Sequence, residues 1–521
     1  MMGWSQHGTG RQRHRNRLGG QPSPSERPPS LEERALNLRL CLQESGPEHS
    51  CFAIYLSSRV DLLPAEYCRE LALTPDLAPP LSPEEVRQLL ERELGNQLER
   101  TFAEFDYTPE QSLLIAQRHR ARLLTGTRVA VNLLRPRFSA LHESGGAFLN
   151  TFCLEDKTPE ETWDDLLTPE VFADFESSLR RKTDFIYARE GLELMARDAA
   201  PFEPLQSHRS YPELCTRNLL TFEVEDEGSA QTLNEIIARG RHGMDALAIR
   251  ICHVWLQQAL RGHCFPVDAQ ARNICVSAGD RITFHNCDLA SLPGNTRENL
   301  SNYLDALLAE DPDKAILYLL REMTPAQAGG RVDTDSMRSN FRQAAYFGLL
   351  EPILGTNSNA IAQIAFQHSK TAREHRCVPK AGLICFYRGL FSIARVARQV
   401  CPEGDPLREG LKELRATSAF DHLREIMDWR YWYQNTDKFA AAMVHMPRAL
   451  DEALTRTSGA GPDLQQRPSP SRRRSSSETL IYLLVLAVVI SQLPAIPGWP
   501  GKMLPLALML AGLLALRGLE K

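Results

Sequence analysis

No two of the twelve cysteines, scattered from Cys41 to Cys401, are spaced as a C-x-x-C pair or sit beside a pair of histidines, which argues against both a zinc site and a disulfide framework. They read as small core residues of a reducing compartment. A basic excess is missing too: the formal net charge is −5, so there is no overall field to gather nucleic acid, which is excluded as a partner. Residues 1–30 are rich in Arg, Gly, Pro and Ser and contain no apolar run, unlike a secretory signal, and are expected to form a solvated basic tail. The bulk of the protein is therefore expected in the cytoplasm. What remains is ample for folding: 521 residues, 43% hydrophobic and 24% charged, can bury at least one large core within two or three folded units.

The helical pattern starts at Leu31, and its clearest element spans 82–94. Ser82 can cap this helix, Pro83 suits its first turn and Glu85 completes a capping box. Val86, Leu89, Leu90 and Leu94 share one face and Gly95 supplies the stop, so the helix needs a partner for its apolar side. Strands are expected at Arg128-Val-Ala-Val131, after the turn residues Thr125-Gly126, and at Leu219-Leu-Thr-Phe222. A long helical region separates the two. Ile274-Cys-Val276 and 281–284 flank Ser277-Ala-Gly-Asp280 as a β-hairpin. Helices dominate from there to about 450, with Leu300, Tyr303, Leu304, Leu307 and Leu308 on one stripe. Strands early and helices late make an α+β layout.

Residues 456–478 form a polar, basic linker, and beyond it lie apolar stretches at 480–493 and 503–516, separated by Pro494-Ala-Ile-Pro-Gly-Trp-Pro500. Each stretch alone is shorter than the about 20 residues a spanning helix needs; the Pro/Trp segment lengthens both arms toward that value. A membrane hairpin at 479–517 is the expectation, with Arg472, Arg473, Arg474, Arg517 and Lys521 keeping both ends in the cytoplasm and Trp499 at the far interface. The basic linker can also meet anionic headgroups.

Asp268, Asn273 and Asp288 bracket the predicted hairpin. An Asp, an Asn five residues later, and a strand-turn-strand ending in a second Asp is how kinases carry a catalytic acid/base and two Mg²⁺ ligands, because nucleotide phosphates need hard oxygen ligands and a cation. The same residue types are also common in ordinary turns. His119, beside arginines, reads as structural rather than as a base. Trp429, Tyr431, Trp432 and Tyr433 read as packing between helices rather than as a lipid pocket.

Leu56-Ser-Ser-Arg-Val-Asp-Leu-Leu-Pro-Ala-Glu-Tyr67, Pro79-Pro-Leu-Ser-Pro-Glu-Glu-Val86, Ile115-Ala-Gln-Arg-His-Arg-Ala121 with Arg128-Val-Ala-Val-Asn-Leu-Leu-Arg-Pro136, Asp268-Ala-Gln-Ala-Arg-Asn-Ile-Cys-Val276 and Cys287-Asp-Leu-Ala290 together resemble the UbiB-like (aarF-domain) atypical kinase family, in the family's order across roughly residues 50–325. The two terminal apolar segments are similar to those of bacterial members. The resemblance implies a protein-kinase-like two-lobed fold with an N-terminal helical extension (31–110), a kinase-like domain (111–455), the linker and the hairpin. It also implies a role in ubiquinone (isoprenoid quinone) biosynthesis or membrane lipid homeostasis at a bacterial-type inner membrane. Partners would be membrane lipid and quinone-biosynthesis proteins. Asp268 takes the catalytic position, Asn273 and Asp288 the metal positions, and Asn132 and Glu190 the phosphate-contacting Lys and its helix Glu, with Mg²⁺ and ATP as cofactors.

The departures point away from catalysis. The family's Lys-x-Gly-Gln signature aligns with Cys51-Phe-Ala-Ile54, and its Ala-rich loop is reduced to Gln111-Ser-Leu-Leu114. Asn132 brings no charge where the strand Lys would stand, leaving Glu190 without its expected partner. Gln270, Ala271 and Arg272 replace His, Pro and Gly of the catalytic loop. Because phosphoryl transfer relies on positioning and electrostatic stabilisation, these losses favour a Mg-nucleotide-binding pseudokinase. The alternatives are an active atypical ATPase or small-molecule phosphotransferase with Arg118 or Arg120 replacing the Lys, and a membrane scaffold that binds no nucleotide.

Overall fold

The computed structural model describes residues 29–427 except 96–97, 144–168, 225–229, 241–242, 326–332 and 348–360. The linker, the apolar segments at 480–493 and 503–516, and the aromatic cluster at Trp429 lie outside the described residues. Among those described, no helix is long and apolar enough to cross a membrane. Of two compact units, Met1–Glu425 and Ile426–Lys521, the first is described below.

Helices α1 (Leu31–Ser45), α2 (Pro47–Leu56) and α3 (Ala65–Leu71) open the chain, followed by α4 (Pro83–Leu94) and α5 (Leu98–Thr101). Helix α4 is formed as its sequence dictates: Ser82 and Glu85 complete the capping box, and Val86, Leu89, Leu90 and Leu94 are buried.

The sheet that receives α4 comprises β1 (Phe102–Phe105), β2 (Gln111–Ser112), β3 (Ala116–Leu123), β4 (Arg128–Leu134) and β5 (Leu219–Glu223). Their order is β1-β3-β4-β5 with β2 on β3 and every pairing antiparallel. The sheet thus begins at Phe102, ahead of the boundary expected at residue 110. Alternation along β4 divides the two faces. Val129, Val131 and Leu133 join Leu90 and Leu94 in one core cluster, while Ala130 and Leu134 join the main core. Asn132 shares the second face, opposite Arg118 and Leu220 in register.

Helices α6 (Pro136–Glu143), α7 (Pro169–Thr183) and α8 (Phe185–Ala199) separate β4 from β5, and Asp184 caps α8 by accepting from the Ile186 N–H. Next come β6 (Ala230–Thr232), α9 (Leu233–Arg239), α10 (Met244–Leu260), β7 (Phe265–Pro266), β8 (Ile274–Ser277), β9 (Ile282–Phe284) and β10 (Leu289–Ala290). The expected hairpin is β8–β9, turned by Gly279 and Asp280 at positive φ. Strands β7 and β10 pair antiparallel, which draws the residues just after β7 toward those just before β10.

The remaining elements are α11 (Gly294–Leu308), α12 (Pro312–Arg321), β11 (Met323–Pro325), α13 (Thr334–Phe347), α14 (Ile361–Glu374), β12 (Cys377–Pro379), α15 (Ala381–Val400) and α16 (Pro406–Met427). Helix α15 runs through the core against α10, where Gly389 leaves room for the Trp255 ring, and Trp255 Nε1 donates to the Pro266 carbonyl at 2.8 Å.

Candidate functional site

The β7–β10 pairing brings two of the predicted acids together. Asp268 Oδ1 accepts the Asp288 N–H at 2.6 Å, and Val267 N–H donates to the Asp288 carbonyl at 2.8 Å. A single 3₁₀ turn, Ala271–Asn273, then places Asn273 beside the hairpin, where its carbonyl accepts the His285 N–H at 2.8 Å. Asp268, Asn273 and Asp288 are all buried, and Asp288 has no exposed surface.

Their charges are matched by side chains of the protein itself. On α7, Ser178, Arg181 and Lys182 lie three and four residues apart and so share one face. Arg181 Nε donates to Asp288 Oδ1 at 2.6 Å and its Nη2 to Oδ2 at 2.8 Å, while Ser178 Oγ donates to Oδ2 at 2.6 Å. Arg388, from the middle of α15, brings its Nη1 to 3.5 Å from Oδ2. Lys182 Nζ donates to the second Asp268 oxygen at 2.8 Å. Burial by itself would raise the Asp288 pKa, but Arg181, Arg388 and Ser178 hold it below the ordinary carboxylate range. Burial correspondingly opposes the charges on Arg181 and Lys182, and their Asp partners overcome it and raise both.

The surroundings reinforce this arrangement. The Arg388 guanidinium lies 4.6 Å from the centroid of the Tyr55 ring, and Tyr55 Oη donates to Asp174 at 2.6 Å. Cys51 stands where the Lys-x-Gly-Gln lysine would align; burial raises its thiol pKa, and Asp76, Lys182, Glu48 and Asp268 all act on it electrostatically. A cation is thus supplied to this neighbourhood by α7 instead of α2.

Between the sheet and this cluster lies a cavity of about 90 Å³ lined by Arg118, Asn132, Lys182, Ala188, His285 and Asn286, among others. Arg118 spans it: Nε donates to Asn132 Oδ1 at 3.0 Å and Nη2 to Asn286 Oδ1 at 2.9 Å, with the guanidinium over the Phe222 ring. Asn286 reaches this position from a left-handed backbone conformation, φ 48°. Arg118 therefore takes the place considered for a substitute cation. Arg120 does not: it is half exposed and paired with Glu110 at 2.8 Å. His119 is buried and structural, with Nδ1 2.9 Å from the Asp106 carbonyl and its ring stacked on Phe105.

Glu190 requires correction. Phe185, Ala188 and Leu192 present the cavity face of α8, and Glu190, two residues beyond Ala188, projects away from it, 58% exposed and 3.7 Å from Arg189. It cannot act on Asn132 or on a ligand in this cavity.

Nor do the residues present fit Mg²⁺. Both oxygens of Asp288 and both of Asp268 are engaged by donors, three of which belong to cationic side chains. Among the described residues no group of three or more His, Cys, Asp or Glu is placed to hold a metal. The negative charges of Asp268 and Asp288 are offset by Arg181, Lys182 and Arg388. Sequence reasoning missed these three. Signals were available: Arg180-Arg181-Lys182 is a basic run just before a helix cap, and Arg388 is a lone charge inside the apolar Cys385-Phe-Tyr-Arg-Gly-Leu-Phe391. A charge in so apolar a helix needs a buried partner.

Comparison with known proteins bears on this arrangement. A family model described as the ABC1 atypical kinase-like domain matches residues 74–319. The chain is 26% identical over 491 residues to a "Probable protein kinase UbiB" of Pseudomonas entomophila, covering 91% of this chain and 88% of that one. It is 27% identical over 483 residues to the protein of the same name from Pseudomonas paraeruginosa, covering 89% and 87%. Among solved structures, Rv3197 of Mycobacterium tuberculosis in complex with erythromycin matches with a TM-score of 0.44 and 18% identity, covering 69% of this chain and 90% of that chain.

Proposed function

The chain belongs to the UbiB-like family of atypical kinases, and on that premise we propose that it is a membrane-anchored pseudokinase, supporting ubiquinone biosynthesis or membrane lipid homeostasis through binding rather than phosphoryl transfer. The fold is kinase-like, and the family generally points to nucleotide and Mg²⁺. One observation carries the departure from that: Asp288, the residue that would hold the metal, is buried in a bidentate pair with Arg181 and backed by Arg388. A divalent cation would have to displace two guanidinium groups from a site closed to water, and the charge it would neutralise is already neutralised. The strand Lys is absent at Asn132, and Arg118, next to it, is spent on bridging the cavity.

The quinone or lipid role and the inner-membrane setting are proposed from the family and from the two apolar segments after the basic linker. Partners on this reading are membrane lipid and proteins of quinone biosynthesis. Truncation before Ser475 should release the chain from sedimenting membranes while leaving a cooperative melt.

The catalytic part is tested with detergent-purified full chain, by phosphate release from ATP and by thermal melts with ATP, with and without Mg²⁺. No turnover and no Mg²⁺-dependent stabilisation are expected. Turnover, or an Mg²⁺-dependent rise in melting temperature that Asp288→Ala removes, would restore the Mg-nucleotide site and sink this reading; a ligand at about 100 times its Kd would stabilise by about 2.7 kcal/mol, a clear signal.

A further inference from the structure

The wall of the cavity between the sheet and the Asp268–Asp288 cluster carries a cation that no acid answers. Arg181 and Lys182, on the same wall, are paired with Asp288 and Asp268. Arg118 is 9% exposed and meets only neutral groups: the amide oxygens of Asn132 and Asn286 at 3.0 and 2.9 Å, and the Phe222 ring, whose centroid is 5.3 Å from the guanidinium. Among the described residues no carboxylate lies within ion-pair distance of it. Glu110, the acid that acts on it from farther away, is paired with Arg120 at 2.8 Å.

The two amide contacts use Nε and Nη2, one edge of the guanidinium, and Asn286 is itself held by Gln111, to whose Oε1 its Nδ2 donates at 3.3 Å. Nη1 has no hydrogen-bond partner among the described residues and Nη2 keeps a second N–H, so the Nη1–Nη2 edge is open. Arg118, His208 and His285 line two voids at once, the cavity of about 90 Å³ and a wider cleft of about 650 Å³. They therefore stand between the two. The imidazoles meet Nε2 to Nε2 at 3.4 Å, and burial, then His208 and Arg118, hold the His285 pKa well below the ordinary range. Arg118 carries the charge at this junction.

A buried guanidinium with an open edge and no counter-charge is unfavourable unless an anion completes it. The planar edge matches a carboxylate through two parallel hydrogen bonds. A single unbalanced positive charge suits a monoanion, whereas a dianionic phosphate would also face Asp76, a carboxylate on the same wall that acts on Lys182. Leu192, Leu220, Phe284 and Leu289 make much of the remaining wall apolar. The volume of about 90 Å³ exceeds the need of one water, roughly 10–15 Å³, and falls short of the roughly 150 Å³ cavity that takes benzene, so a chain of a few carbon atoms fits. We propose that Arg118 anchors a binding site for a short-chain monocarboxylate, with the carboxylate on the Nη1–Nη2 edge and the alkyl chain among Leu220, Phe284 and Leu289. This names a ligand for the cavity and rests on the reading that the protein acts by binding rather than phosphoryl transfer.

Butanoate is the probe, titrated calorimetrically into the detergent-purified full chain without Mg²⁺ or nucleotide. Saturable binding is expected, about tenfold tighter than acetate because two more methylenes are buried, and tighter than inorganic phosphate. Butanamide, of the same shape without the charge, should not bind. Arg118→Gln should weaken butanoate binding about tenfold or more, and Arg118→Lys less, since it keeps the charge but not the fork. Ala188→Leu, which fills the cavity from α8 and leaves Arg118 in place, should abolish it. Thermal melts show which variants are folded. ATP turnover in a parallel assay would sink the pseudokinase reading, whereas absent turnover together with no butanoate binding would sink this inference alone. The inference is also overturned if acetate, phosphate or butanamide binds as tightly as butanoate, or if a folded Arg118→Gln binds like wild type. Should Arg118→Gln lose its cooperative melt, unchanged binding by Ala188→Leu overturns it equally.

Discussion

Arg181 grips both carboxylate oxygens of Asp288, at 2.6 Å and 2.8 Å, in a position where the carboxylate has no contact with solvent. A pair so enclosed is held by its own completeness: with either partner gone, the other is a buried charge with too little compensation. Asp288→Ala should therefore destabilise the fold by about 3–5 kcal/mol in urea denaturation, and Arg181→Ala by a similar amount. The double change Arg181→Met with Asp288→Leu should cost clearly less than the two single alanine variants summed. A cost for Asp288→Ala below about 1 kcal/mol would mean that the pair is not formed in solution.

Restoring the strand lysine should fail on its own. Asn132 is buried and accepts from Arg118, whose guanidinium is already disfavoured by burial. Asn132→Lys removes that acceptor and adds a like charge, at a cost of about 1–3 kcal/mol in thermal or urea melts. Arg118→Gln in the same chain should recover much of it. If Asn132→Lys is as stable as wild type alone, Arg118 is not anchored there.

Helix α4 should contribute to stability through its sheet-facing side. Leu90 is completely buried in the cluster with Val129, Val131 and Leu133, so Leu90→Ala should cost about 2–5 kcal/mol in urea denaturation. A cost near zero would mean the helix does not cover the sheet.

His368 makes a pH-dependent contribution of defined sign. It is buried, stacked on Phe341 with ring centroids 4.0 Å apart, and burial pushes its pKa down to about 3. The unfolded chain takes up the proton near pH 6.5 and the folded chain does not, so this contribution is complete above about 6.5 and falls by up to about 1.4 kcal/mol per unit as the pH drops toward 3. His368→Gln should flatten that part of the stability profile relative to wild type. An unchanged slope would show the imidazole to be protonated in the fold.

Elements governed by neighbours in sequence were legible from the sequence. The capping box at Ser82 and Glu85, the strand at Arg128 and the turn at Gly279 depend on residues within a few positions, and each forms as read. The place of Glu190 was not legible because packing decides which side of α8 meets the cavity: Ala188 lines it, and Glu190, two residues on, lies on the exposed side. The compensation of Asp288 and Asp268 was hidden for another reason: Arg181 and Lys182 lie 107 and 86 residues from the acids they meet, and only the fold brings them together. The pattern Asp268, Asn273, Asp288 is visible in the sequence, whereas the cations that surround its two acids are visible only in the fold.

The enclosed acids also bear on what could be engineered into this protein. Creating a metal site at these acids would require Arg181, Lys182 and Arg388 to be exchanged for residues that leave both carboxylates free. Each single exchange leaves a buried charge exposed to loss of its partner, at a cost comparable to much of the roughly 5–15 kcal/mol by which a domain is stable. Every step on that route would cost stability before any cation could be bound. Asp288 and Asp268 thus act as ties that hold α7 and α15 to the segment between β7 and β10, and a carboxylate used to tie the fold together is not available to a ligand.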